Sequence, residues 1–248
     1  MPYTRDPAPP RRRGAFVRCF IASFLLVLLA AAASVYFNAV DRQLFEKALL
    51  ENVDYAALAI DEDSVRSFAG ETILFLTDAQ DSWEPRITVA GFPASRFIPQ
   101  SFRDHMATVK GWVSAATAVF LCGAAVVIAL LAWVLAGSGR RGGFSARGYY
   151  AGTIVPLLLI AGIGLWAALD FAGLWETLHR TLIPDGIFPA DELVMLLFPE
   201  SLFSAYLPPV LILLVLMLAA VMVLPLILSP VNLRIAQARA QSVGGENR

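Results

Sequence analysis

The run GWVSAATAVFLCGAAVVIALLAWVLA, residues 111 to 136, decides the fold: it holds no Asp, Glu, Lys or Arg. As a helix rising about 1.5 Å per residue it is longer than the roughly 30 Å hydrocarbon core of a bilayer. Lipid offers no partners for backbone N–H and C=O groups, so a spanning segment must be a helix or a strand of a closed barrel. The run lacks the two-residue alternation of a barrel strand, so it reads as a transmembrane helix. Working outward, three more stretches have the same character: residues 15–40, 149–171 and 206–228. None has a charge in its central turns, and Pro156, Pro225 and the Pro208-Pro209 pair fall near span ends, where a missing donor matters least. The expected class is an all-α polytopic membrane protein with four transmembrane helices in a phospholipid bilayer.

The first stretch has a second reading. Arg11, Arg12 and Arg13 precede an apolar run ending in Ala31-Ala32-Ala33-Ser34, the layout of a signal peptide. Apolar character continues through Val35, Tyr36 and Phe37, longer than the roughly 7–15 residues of a signal core. An uncleaved span fits better.

Composition agrees with a membrane chain. Of 248 residues, 58% are hydrophobic and 16% charged, with a mean hydropathy of +0.66. Soluble domains carry roughly 25% charged residues, so a soluble enzyme and a disordered chain are both excluded. A net charge of −1 leaves no basic surplus for nucleic acid. Two cysteines and two histidines make neither a disulfide framework nor a His-rich metal site, and no cofactor is expected. Cys19 and Cys122 read as small packing residues.

Charge sets the orientation. The N-terminus through Arg18, the loop with Arg140, Arg141 and Arg147, and the C-terminal tail together hold eleven basic and two acidic residues. The stretches from Asp41 to Lys110 and from Asp170 to Ala205 hold eight basic and eighteen acidic residues. The positive-inside rule puts both termini in the cytoplasm. The layout is a basic tail (1–14), span one (15–40), an extracytoplasmic cap (41–110), span two (111–136), an inner loop (137–148), span three (149–171), an outer loop (172–205), span four (206–228) and a tail (229–248).

Within the cap, Val65, Phe68, Thr72 and Leu76 follow a helical period, with Asp63 or Ser64 placed to cap it. Arg86 to Val89 lies between turn signals as a short strand, and Trp83, Phe92 and Phe97 read as packing aromatics. Ser101-Phe102-Arg103-Asp104 has the form of a capping box opening a helix that runs into span two. Lys110 and Trp112 fall at the membrane–water boundary, as anchors or as ligand contacts. With no proline between Pro156 and Pro184, span three is expected to continue outward past His179. Residues 187–205, broken by Pro189 and Pro199, read as an amphipathic segment on the outer leaflet.

Both histidines fall outside, beyond the ends of neighbouring spans. His105 is 17 residues from Cys122 and His179 is 18 from Ala161, the centres of spans two and three. On unbroken helices that places both rings about 25–27 Å from the midplane, at headgroup and ester level. Imidazole carries protons near neutral pH, so the pair is a candidate for general acid–base work. There is no G-x-S-x-G elbow, no H-E-x-x-H and no Cys beside a His. No span has an ionisable group at mid-depth and no internal repeat is visible, which argues against a transporter.

Two blocks carry a resemblance. Phe92-Pro93-Ala94-Ser95 through Asp104-His105-Met106-Ala107-Thr108-Val109-Lys110 is similar to the S…H-[FM]-x-x-V-K segment of the lipoprotein intramolecular transacylase (Lit)-like family, four-span bacterial membrane proteins. So are Asp170-Phe171, Trp175-Glu176-Thr177-Leu178-His179, Ile187 to Leu193 and Phe198 to Phe203. The likeness in layout extends from about residue 15 to 230. Thr108 stands where the family has an acid, and Leu178 where it has an aromatic before the second histidine. The resemblance implies an acyltransferase in the bacterial plasma membrane whose site faces outward. Its substrates would be diacylated lipoproteins, whose sn-2 acyl chain moves to the α-amino group of the N-terminal cysteine, leaving a lyso-form. His105 and His179 would share the base and acid roles. Lys110, Asp191 and Glu200 are the candidate substrate-binding residues, with solvation or anchoring as their plainer reading. A non-catalytic accessory protein, or acyl transfer to another acceptor, is the alternative.

Overall fold

A computed structural model describes residues 11–136, 144–183, 188–189 and 192–245. The chain is an all-α polytopic membrane protein. Among the described residues four helices are long and apolar enough to cross a bilayer: α1 (Arg11–Ala39), α5 (Gln100–Ala136), α6 (Ala146–Leu169) and α10 (Leu207–Gly245). Between α1 and α5 lie α2 (Arg42–Asn52), α3 (Tyr55–Leu58), α4 (Glu62–Leu76) and a hairpin of β1 (Thr88–Val89) with β2 (Phe92–Pro93). Between α6 and α10 lie α7 (Phe171–Leu182), α8 (Leu193–Leu197) and α9 (Glu200–Ser204). Much of the basic sequence read as cytoplasmic, residues 1–10, 137–143 and 246–248, lies outside the described residues.

The chain divides into two units. The first comprises residues 1–31, 121–162 and 215–248. Its packing is set by backbone contact between α1 and α6. A Cβ at Gly152 would meet Phe20 O and Ser23 Oγ at 2.2 Å, and one at Gly148 would meet Phe16 O at 2.4 Å. This is close approach through small residues four apart, the means by which helices associate where lipid supplies no hydrophobic drive. Ser23 Oγ donates to Tyr149 O at 2.7 Å, and the buried Tyr149 hydroxyl donates to Val221 O of α10 at 2.7 Å.

The second unit comprises residues 32–120 and 163–214. Here α2 packs on α4, and Leu49, Val65, Phe68, Ala69 and Trp83 are buried in one core with Phe102, Val194, Leu197 and Leu202. Asp41, Asp54 and Asp61 cap α2, α3 and α4, each accepting from backbone N–H groups of the first turn. The α4 cap is thus Asp61, two residues ahead of the expected Asp63. Helix α5 opens at Gln100, so Ser101 lies inside its first turn. Trp83 is a core residue whose Nε1 donates to Thr72 Oγ1 at 3.1 Å, whereas Phe92 and Phe97 are exposed.

Two expectations for the outer loop are corrected. Span three does not continue past His179: α6 ends at Leu169 and Asp170 begins a separate helix. The Asp170 carboxylate accepts from Gly173 N at 2.9 Å, and a Cβ at Gly173 would lie 2.1 Å from Asp170 Oδ2, so a side chain there would push the carboxylate off this cap. An aspartate at the end of an apolar helix gains more as an N-cap than as an interior residue. The depth computed for His179 on one unbroken helix therefore does not apply. Residues 193–204 form two short helices following Pro189 and Pro199 that bury Val194, Leu197 and Leu202 in the core. The strongly amphipathic helix of this loop is α7, none of whose residues is buried.

Candidate functional site

The second unit holds a cavity of about 540 Å³ with a largely apolar lining. Both histidines face it, together with Trp175, Glu176, Glu200 and Tyr206. The rings of His105 and His179 are stacked with centroids 6.3 Å apart and planes 20° apart. His105 is on α5, which at 37 residues is about 55 Å long and so projects well beyond the roughly 30 Å core. It lies before the apolar run that starts at Gly111. His179 is on α7.

The two imidazoles have different surroundings. His105 packs against the rings of Phe102 and Phe188, each 5.4 Å away and themselves 5.0 Å apart, and its Nδ1 is buried without a hydrogen-bond partner among the described residues. Burial, and secondarily the neighbouring His179, hold its pKa below the ordinary imidazole value. Its neutral form is favoured. His179 Nδ1 is 3.2 Å from Trp175 O. A carbonyl only accepts, so Nδ1 carries the hydrogen and the lone pair of the neutral ring is on Nε2. The Trp175 ring lies 4.4 Å from that of His179 and stacks on Phe203 at 4.2 Å. Tryptophan four residues before the histidine is thus both its acceptor and its wall.

The other candidates separate. Glu200, in the first turn of α9, lines the cavity. Lys110 does not line it: its Nζ is 2.9 Å from Asp78 Oδ1 and 2.9 Å from Gln80 O, and 4.7 Å from the Phe75 ring. Asp78 also accepts from Ser114 Oγ, and these hydrogen bonds hold its carboxyl below the usual range. Asp191 lies outside the described residues. Thr108 turns its hydroxyl onto Asp104 O of its own helix and is exposed. Glu176, which the sequence did not single out, lines the cavity and pairs with Arg180 at 2.6 Å. Its spacing of three before His179 on one helix was the available signal. Among the described residues no three His, Cys, Asp or Glu are grouped to hold a metal ion.

No family model matches the sequence, and no curated protein matches it. Among solved structures, the membrane integral lipoprotein intramolecular transacylase Lit from Bacillus cereus has the same fold, with a TM-score of 0.65 at 15% identity. The match covers 88% of this chain and 95% of that one.

Proposed function

We propose that this protein is an acyltransferase that moves the sn-2 acyl chain of a diacylglyceryl-cysteine lipoprotein to the α-amino group of the same cysteine. The observation that carries the reading is two imidazoles with ring centroids 6.3 Å apart on one apolar cavity, within a fold shared with a transacylase. The apolar lining suits acyl chains, and the two imidazoles share it with Glu176 and Glu200. With both termini in the cytoplasm the cavity lies on the outer side, where lipoproteins carry their lipid.

Attack and departure occur within one substrate, so the site's first task is to hold amine and ester in reactive geometry. The amine nitrogen forms a bond to the ester carbonyl carbon, and the bond from that carbon to the sn-2 glyceryl oxygen breaks. A proton leaves the nitrogen and one arrives on the departing oxygen, so substrate and product are isomers. His179 suits the proton-carrying role. Its Nε2 is available as base, and the charged ring that results is held by the Trp175 carbonyl and faces the aromatic surface of Trp175. His105, kept neutral by burial, suits donation of a ring N–H to the carbonyl oxygen as charge develops there. Glu200 offers a carboxylate to the incoming ammonium. Lys110, engaged by Asp78 and Gln80, orders the cap beside the site.

The test is purified protein in lipid nanodiscs with a synthetic diacylated lipopeptide and no other component. Because mass is unchanged by the transfer, the product is read from fragment ions that show an N-acyl cysteine bearing a lyso-glyceryl group. An N-terminus that remains a free amine with protein in excess over lipopeptide would sink the proposal and favour an accessory role.

A further inference from the structure

Helix α7 carries His179, Trp175 and Glu176 to the cavity, yet none of its residues is buried. It is bounded by two non-helical residues, Asp170 (φ −152, ψ 76) and Ile183 (φ −141, ψ 69). Leu178 and Leu182 on its apolar stripe are each 43% exposed. A helix with so little surface buried in protein draws little stability from packing, so specific contacts at its ends add materially to the Trp175–Phe203 stack that seats it. At its N-terminus the Asp170 cap supplies one. At its C-terminus Trp112 Nε1 donates to Leu182 O at 3.2 Å, taking up one of the carbonyls that a helix end leaves unpaired.

Trp112 stands seven residues after His105 on α5, two helical turns along the same face. Leu182 stands three residues after His179 on α7, again on one face. The pair of rings and the indole–carbonyl bond are therefore two rungs between the same two helices. We infer that Trp112 is a positioning residue: it latches the end of α7 to α5 and thereby holds His179 against His105. Its consequence for catalysis rests on the acyltransferase reading above, but the seating itself does not. A tryptophan serving only as an interfacial anchor needs its ring and not this bond, which makes Trp112→Phe the informative change.

The full chain has two histidines, so ring-labelled protein in nanodiscs of phosphatidylethanolamine and phosphatidylglycerol gives two assignable imidazole signals. In the wild type the rings show a mutual contact, and His105 titrates below the ordinary value because of burial and the neighbouring His179. Glu176 and Glu200 face the same cavity and are unchanged by the substitution. Trp112→Phe is expected to weaken the ring–ring contact and raise the His105 midpoint. It should also lower kcat for acyl transfer by about 10- to 100-fold with little change in KM, the scale of a misplacement near 1 Å. Gly173→Ala, which removes the cap at the other end, should produce the same uncoupling. Trp112→Leu gives the same readouts should the Phe variant fail to fold. A folded Trp112→Phe protein whose ring contact and titration match the wild type overturns the latch, whatever its activity. Rings that separate in the variant, in a protein whose wild type transfers no acyl chain, uphold the latch and reject the acyltransferase reading.

Discussion

Replacing His179 by Gln separates proton transfer from positioning. A glutamine side chain is about as long as histidine, and its amide can still donate to Trp175 O, the contact now made by Nδ1 at 3.2 Å. What it lacks is a second nitrogen able to take and return a proton. A positioned acid or base contributes about 10²- to 10⁴-fold, and each tenfold is about 1.36 kcal/mol. His179→Gln should therefore lower kcat by roughly three orders of magnitude, about 4 kcal/mol of barrier, with KM for the lipopeptide nearly unchanged. His105→Gln keeps an N–H donor at the cavity wall and should cost less, whereas His105→Leu removes it and should cost about 10²- to 10³-fold, the loss of an oxyanion donor. The double change to Gln at 179 and Leu at 105 should be much less damaging than the product of the single effects, because the two rings act on one event. Initial rates of N-acyl cysteine formation, followed by fragment ions over lipopeptide concentration, give both constants. A folded His179→Gln protein retaining a third of wild-type kcat would refute the reasoning, as would single effects that multiply.

Acidification should slow the reaction: the substrate amine, with a pKa near 8, gains a proton as pH falls and loses its nucleophilic lone pair, while His105, held below the ordinary imidazole value of about 6.5 by burial and by His179, keeps its neutral form to lower pH. A rate that is flat between pH 8 and 5 in nanodiscs would contradict attack by the free amine. Lys110→Met should loosen the cap, seen as earlier thermal unfolding, yet leave kcat within about threefold, since Nζ is held by Asp78 and Gln80 and not by the cavity. A loss on the scale of His179→Gln would restore Lys110 to the chemistry. Gly152→Ala should destabilise the first unit by about 1–3 kcal/mol or block its insertion, because the new methyl meets backbone of α1 at 2.2 Å; thermal unfolding in detergent measures it. Trp83→Phe leaves the buried Thr72 hydroxyl without its indole donor and should cost about 1–3 kcal/mol in the cap.

Four spans and an all-helical class were legible in the sequence because lipid itself is the solvent for those faces, so local hydropathy suffices without knowledge of any partner. Nineteen cations and twenty acids sort into basic and acidic segments by simple count, which carries an expectation of direction. The nearness of His105 and His179 was anticipated from matched depth on neighbouring spans, though by a route that the structure replaces. The sequence has no proline or glycine at Leu169-Asp170, so nothing in its pattern of breakers announces that α6 stops there. The stop is made by a side chain, Asp170, turning back to the amide of Gly173.

By itself, then, the sequence determined that the chain is an all-α membrane protein with four apolar segments able to cross, and that its two imidazoles fall outside those segments. Only tertiary structure decided what surrounds those rings. The assignment of Lys110 to Asp78 and Gln80, the packing of His105 against Phe188, and the seating of α7 by Trp112 join residues from 30 to 83 positions apart. Such contacts leave no periodic trace, since they arise from how separate helices meet. Hydropathy is a property each residue brings with it, whereas desolvation and hydrogen-bond pairing exist only once the chain has brought distant groups together.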